Sequence, residues 1–144
     1  TTSILLAEER ILLAAPKSYN IKSEQFIDGY PVISISDFSD KPFVMLSEGQ
    51  MLRELSMSLC SKYGFIPDIA LECRSLQTAN SMTEAGIGVT LVPELFVKHS
   101  AGDKAQYCII KDQDIVRKIA VSYRNDRYLT KDAQVLIDLL KEMI

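Results

Sequence analysis

Few residues in this chain could carry covalent chemistry, and their spacing points to binding instead. There is one histidine, His99, set in Lys98-His99-Ser100, a stretch that reads as a solvated loop. The three cysteines, Cys60, Cys73 and Cys108, are odd in number and widely separated, which fits neither a disulfide framework nor a metal motif. Each lies in an apolar stretch, so they are expected to be buried, reduced thiols acting as small hydrophobes. No Gly-x-Ser-x-Gly elbow, His-Glu-x-x-His pair or Walker loop occurs. Gly86-Ile87-Gly88 resembles the start of a dinucleotide loop, but it follows a predicted helix and precedes a strand. That reverses the order that places a phosphate on a helix N-terminus. A helix cap followed by a tight entry into a strand is the plainer reading. The residues therefore predict no catalytic group, no metal site and no cofactor.

Two places do have binding chemistry. In Leu46-Ser47-Glu48-Gly49-Gln50 a predicted strand ends where a helix begins. Unpaired backbone N–H groups and the positive end of the helix dipole make such a junction receptive to anions. Gly49 would let the backbone approach a ligand closely. The second junction is Arg74-Ser75-Leu76-Gln77-Thr78, with hydroxyls and an amide at the helix start. Ligands of open α/β sheets sit beyond the carboxyl ends of the strands, so two such junctions can share one cleft. Either serine could instead do no more than cap its helix, and the residues alone leave both readings open.

The elements that would hold these junctions are readable from periodicity. Arg10 to Ala15 is a continuous apolar run closed by Pro16, as expected of a strand buried on both faces. From Lys17 to Lys41 the chain reads as irregular, with single helical turns at most. Pro42 to Leu46 is a second buried strand. Met51, Leu52, Leu55, Leu59 and Tyr63 follow helical spacing to about Lys62, and Gly64 stands where a left-handed cap belongs. Ile69 to Cys73 is the next strand, and Ser75 opens a helix with Leu76, Ala79, Met82 and Ala85 inward and Gly86 at its end. Gly88 to Pro93, Gln106 to Lys111 and Arg117 to Tyr123 read as strands, with a short helix from Pro93 to about Lys98. Thr130 caps a last helix with Ala133, Leu136, Leu140 and Met143 on one face. Alternating strands and helices predict βαβ units and a parallel sheet.

The bulk numbers fit one ordinary domain. The 144 residues are 47% hydrophobic and 24% charged, with a net charge of −3. No clustered stripe of Lys and Arg suggests that this piece binds nucleic acid by itself. No apolar run approaches a membrane span, and Thr1 to Arg10 lacks the blocks of a signal peptide. The chain opens on Thr1, so a longer parent is expected.

Order and spacing across nearly the whole chain carry a family likeness. Pro42 to Arg53 resembles the strand and first helix of the second subdomain of LysR-type effector-binding domains. Gly64-Phe65-Ile66-Pro67 resembles the turn ending that helix. Glu84 to Glu94, with Gly86-Ile87-Gly88-Val89-Thr90-Leu91-Val92-Pro93, is similar to the family's Gly-x-Gly-(Val/Ile)-x-(Leu/Ile)-(Leu/Val)-Pro stretch. Arg117 to Arg124 and Asp126 to Thr130 resemble its closing strand and last helix.

The resemblance implies an α/β fold like the type 2 periplasmic binding proteins. It would comprise a Rossmann-like βαβ subdomain and the returning part of a second one, with an effector between them. Residues 1–16 would end subdomain one and lead through the hinge, 17–102 would form subdomain two, and 103–144 would return to subdomain one. Ser47, Glu48, Gly49 and Gln50 at one helix start and Ser75 and Gln77 at the next would meet the effector, with Thr90 near the cleft floor. The implied protein is a cytoplasmic transcription regulator, a homodimer or tetramer, that reads DNA through an N-terminal winged helix-turn-helix absent here. The missing half of subdomain one would leave apolar surface exposed and promote self-association. The main alternative is an extracytoplasmic solute-binding protein of a transporter. An enzyme on the same fold would need a reactive group in the cleft, where only Ser47, Ser75 and Thr90 stand, with no base nearby.

Overall fold

The structure, a computed structural model, describes residues 2–100, 102–111, 116–123 and 131–143. It separates into two units, Thr1–Arg10 with Ile115–Ile144, and Ile11–Asp114. The strand β1 (Thr2–Pro16) runs from one unit into the other.

The larger unit is built on the second half of β1. Ile11 to Pro16 are all buried, with Leu12 to Ala15 at 0% exposure, as a strand covered on both faces requires. Beyond a single 3-10 turn come β2 (Phe26–Ile27), β3 (Tyr30–Ile33), a second such turn, β4 (Pro42–Leu46), α1 (Met51–Lys62) and β5 (Asp68–Cys73). Then follow α2 (Leu76–Glu84), β6 (Thr90–Pro93), α3 (Glu94–Ser100) and β7 (Ala105–Ile110). The strand order is β2-β3-β7-β1-β6. β4 joins beside β6 through a parallel bridge from Phe43 to Val89 and pairs outward with β5.

The sheet is mixed rather than parallel. β4 with β5 and β3 with β7 are parallel, as the βαβ pattern predicts, but β1 runs antiparallel to both β6 and β7. The reason is connectivity. β1 enters from the other unit, and its sheet neighbours come more than seventy residues later, so no βαβ crossover fixes their direction.

The segment expected to be irregular holds a hairpin, β2 to β3, turned by Asp28 and Gly29 with φ of 52° and 83°. These two left-handed residues are the pair that a two-residue hairpin loop demands. His99, expected in a loop, lies in α3 and is exposed.

The helices close as their glycines predict. At the end of α1, Phe65 N–H donates to the Cys60 carbonyl (3.0 Å) and Gly64 N–H to that of Ser61 (3.0 Å), with Gly64 at φ +81°. This double bond is the Schellman arrangement, and it lays the Phe65 ring against Phe43 at 6.3 Å between centroids. The face of α1 differs in detail from the expected stripe. Met51 is 66% exposed, while Ser56 is buried and donates its hydroxyl to the Leu52 carbonyl (2.6 Å).

The buried face of α2 is more polar than expected. Ala79 is buried, but its companions are Asn80 and Thr83, with Leu76 and Met82 only half-buried and Ala85 exposed. Asn80 is tolerated because its amide is engaged at both ends. It accepts from the Tyr107 hydroxyl (2.7 Å) and donates to Glu84 Oε1 (3.2 Å). Burial pushes the Tyr107 hydroxyl pKa up and the Glu84 carboxylate adds to the effect, so the phenol stays protonated as the donor. Tyr107 also belongs to a core with Leu12, Ala14, Val92 and Ala105, against which Leu76, Phe96 and Val97 pack.

In the smaller unit, the first half of β1 pairs antiparallel with β8 (Val116–Tyr123), from Thr2 opposite Tyr123 to Arg10 opposite Val116. The last helix, α4 (Lys131–Met143), buries Ile137 at 4% exposure, flanked by half-buried Ala133 and Leu140. Leu136, expected on this face, is 58% exposed, because the inward stripe runs i, i+4, i+7 through Ile137 instead. The expected cap Thr130 and the run from Asp126 lie outside the described residues.

All three cysteines are free, but only two are buried. Cys73, at the exposed end of β5, is half-buried. Burial pushes Cys108 up to about 12 and Cys60 up to about 11, against an ordinary 9.0. Two results are expected. An alkylating reagent labels Cys73 in the native protein and reaches Cys60 and Cys108 only on unfolding, as peptide mass spectrometry would read. Second, the unfolded thiols ionise from about pH 9 while the folded ones keep their protons, so unfolding releases protons and stability falls as pH rises from 9 towards 12. Urea midpoints at neutral pH and near pH 10 check the sign.

Candidate functional site

The two strand-to-helix junctions lie side by side because β4 and β5 are parallel neighbours, with Leu46 opposite Cys73 at their shared carboxyl end. Hydrogen bonds tie one to the other. Ser47 donates to the Cys73 carbonyl through both its backbone N–H (2.9 Å) and its hydroxyl (3.1 Å). Gln50 Nε2 donates to the Arg74 carbonyl at 2.9 Å. Arg53 Nη1 donates to the Leu46 carbonyl (3.0 Å) and to Glu72 Oε1 (2.9 Å), so the first turn of α1 is bolted to the ends of both strands.

The two helix starts are finished differently. Ser75 caps α2 by accepting from Thr78 N–H at 3.2 Å. Ser47 does not cap α1. The N-cap there is Gln50, whose side chain makes no capping bond, so no side chain closes the N-terminus of α1. Gly49 takes φ +87°, and nothing lies within 4 Å of where its Cβ would be, so its use here is the left-handed turn into α1. Glu48, Gly49, Ser75 and Gln77 are exposed, and Ser47 and Gln50 are half-buried. Thr90 is apart from this group: it is 3% exposed within β6, opposite Ala14 of β1.

Sequence reading missed Arg53 and Glu72 as the brace of this site. Their signal was a charged residue one turn into α1 and another near the end of β5, separations that only the parallel pairing makes meaningful. Replacing Arg53 with Met keeps the stem but leaves the Leu46 carbonyl without its donor. The expected cost is about 1–2 kcal/mol in chemical denaturation, most of it from that carbonyl. Glu72 is half exposed, so its ion pair adds little.

A mixed α/β unit with adjacent strand-to-helix junctions at one sheet end is the architecture of a periplasmic-binding-protein-like domain. The model of the LysR substrate binding domain matches residues 1–144, and the chain belongs to that family. A hydrogen peroxide-inducible genes activator of Dickeya chrysanthemi is 32% identical over 111 residues, covering 76% of this chain and 36% of that protein. Among solved structures, the Synechocystis PCC6803 CcmR regulatory domain in complex with 2-PG superposes with a TM-score of 0.73 at 18% identity, over 98% of this chain and 65% of that one. The BenM effector binding domain with its effector benzoate gives a TM-score of 0.71 at 21% identity, over 99% of this chain and 62% of that one. The chain spans less than half the length of the curated relatives it matches, 45% of one and 21% of another. Among the described residues no helix is long and apolar enough to cross a membrane.

Proposed function

We propose that this chain senses a small carboxylate-bearing metabolite at the joined ends of β4 and β5, as the effector-binding part of a LysR-type transcription regulator. The observation that carries the reading is the open N-terminus of α1, set beside the capped start of α2 on a braced pair of strand ends. Backbone N–H groups there suit an anion. Gln77 and the Ser75 hydroxyl offer polar partners next to it. A benzoate effector in a protein of like fold supports a carboxylate as the ligand class. In this reading the whole protein is cytoplasmic, assembles as a dimer or tetramer and reads DNA through a separate domain. Effector binding shifts its arms only as far as the two arrangements differ in affinity. The curated relatives are named as regulators, which leaves the transporter alternative without support.

Titration of the full-length protein with benzoate and other small carboxylates tests the ligand class. Gln77 is exposed, so Gln77→Ala is expected to weaken binding about 5–10-fold, the loss of one hydrogen bond to a charged group, and to leave the unfolding midpoint in place. If neither Gln77→Ala nor Gln50→Ala changes affinity for any carboxylate that binds, the site lies elsewhere.

A further inference from the structure

A hollow lies in the larger unit, at the end of α2 opposite to Ser75. It has a volume of about 280 Å³ and is lined by Ser81 and Glu84 from the later turns of α2, by Ala85 just after it and by Lys104 just before β7. Its chemistry is unusual in one respect. An acid and a base share the lining, yet among the described residues Glu84 and Lys104 form no ion pair with each other or with a third group.

The Glu84 carboxylate is also held in place from inside the protein. Tyr107, 9% exposed, donates to Asn80, 3% exposed, and Asn80 donates to Glu84 Oε1. Tyr107 fixes which end of the Asn80 amide faces it, and that fixes the amide donor on Oε1. Among the described residues Oε2 accepts no hydrogen bond. It lies 3.9 Å from where a Cβ on Gly102 would stand, so the glycine leaves its surroundings open. A carboxylate oriented by a buried chain loses little freedom on meeting a cation.

From this geometry we infer that the hollow between α2 and the start of β7 binds a small zwitterion of the α-amino-acid type. Its ammonium group would sit on Glu84 Oε2 and its carboxylate on Lys104. Ser81 supplies a hydroxyl that either group can use. The volume is below the roughly 300–1,000 Å³ of pockets that take drug-sized ligands, so the occupant is small. Ligands carrying only one of the two charges leave the other side of the hollow unpaired. This site is independent of the junction at β4 and β5 and would let a second metabolite be read.

The test is an amide-resolved NMR titration of the full-length protein with L-alanine, with acetate and ethylammonium as single-charge controls. Saturable shifts at Ser81, Glu84 and Lys104 are expected with L-alanine and not with either control. Glu84→Gln keeps an acceptor for Asn80, so the fold persists, as an unchanged urea midpoint would verify. Its loss of charge is expected to weaken L-alanine at least about 10-fold, the worth of one charge-assisted hydrogen bond. Lys104→Met should weaken it comparably. The inference is overturned by no saturable shift, by equal response to acetate or ethylammonium, by affinity indifferent to Glu84→Gln, or by shifts confined to residues 47–52 and 74–78. Failure at this hollow leaves carboxylate sensing at β4 and β5 standing, and shifts at residues 47–52 and 74–78 would report that other site.

Discussion

Gly88→Ala is expected to lower stability by about 3–5 kcal/mol, more than any other single methyl addition considered for this chain. A Cβ at Gly88 would stand 2.5 Å from the Pro42 carbonyl oxygen and 2.9 Å from its carbon, both backbone atoms that no rotamer change can move aside. Relief requires β4 to back away from the chain entering β6. That would break Val89 N–H to the Pro42 carbonyl (2.9 Å) and Val44 N–H to the Val89 carbonyl (2.8 Å), the bonds that attach β4 and β5 to the main sheet. The strand ends that carry the candidate site would move with them. Gly86 provides the comparison: at φ +91°, with nothing near its Cβ, Gly86→Ala is expected to cost only about 1–2 kcal/mol of backbone strain. Urea unfolding measures both. A Gly88→Ala cost below that of Gly86→Ala would contradict the close approach of β4 to the start of β6.

The second large effect is expected at Asn80. Asn80→Leu keeps the branch at Cγ but is bulkier, and it strips the acceptor from a Tyr107 hydroxyl that is 9% exposed and the donor from Glu84. An unsatisfied buried hydroxyl costs about 1–3 kcal/mol, and lost packing fit adds to that, so about 2–4 kcal/mol is expected. The asymmetry between removing one partner and removing both supplies the sharper test. Adding Tyr107→Phe to Asn80→Leu removes the orphaned hydroxyl and should recover about 1 kcal/mol or more, whereas Tyr107→Phe alone destabilises. Strict additivity in this double-mutant cycle would mean that the Tyr107–Asn80 bond is not formed in solution.

These two positions show what sequence reading reaches and where it stops. Gly86 and Gly88 were legible as a helix cap followed by a tight strand entry, because glycine at a helix end has few other uses. Gly64 was legible as the end of α1 for the same reason. The apolar run at Ile11 to Ala15 was legible as doubly covered, since nothing polar interrupts it. The likeness of Pro42 to Pro93 to LysR-type effector-binding domains pointed to the family. Asn80 was not legible as buried, because its burial depends on a tyrosine 27 residues away that only the fold brings near. The inward face of α4 was misplaced onto Leu136, since Leu136 and Ile137 are both apolar and only packing chooses between them. The hairpin at Phe26 to Ile33 was read as irregular, although Asp28-Gly29 is a strong turn pair, because Pro31 and the short runs weakened the strand signal.

Ser47 and Ser75 looked alike in the sequence and differ in the structure. Ser75 caps its helix, while Ser47 spends its hydroxyl on the Cys73 carbonyl across the strand pair. No property of the two residues foretells this. It follows from the register of β4 against β5, which places Leu46 opposite Cys73 and brings Ser47 within reach of the neighbouring strand. The consequence is an uncapped α1, and the proposed anion site rests on that difference.

The most direct measurement of carboxylate sensing is therefore an amide-resolved NMR titration of the full-length protein with benzoate and related carboxylates. The expected result is saturable shifts centred on residues 47–52 and 74–78, where α1 and α2 begin, with the largest at the open start of α1. Shifts confined to other parts of the protein, or none with any carboxylate, would contradict the assignment of effector sensing to the ends of β4 and β5.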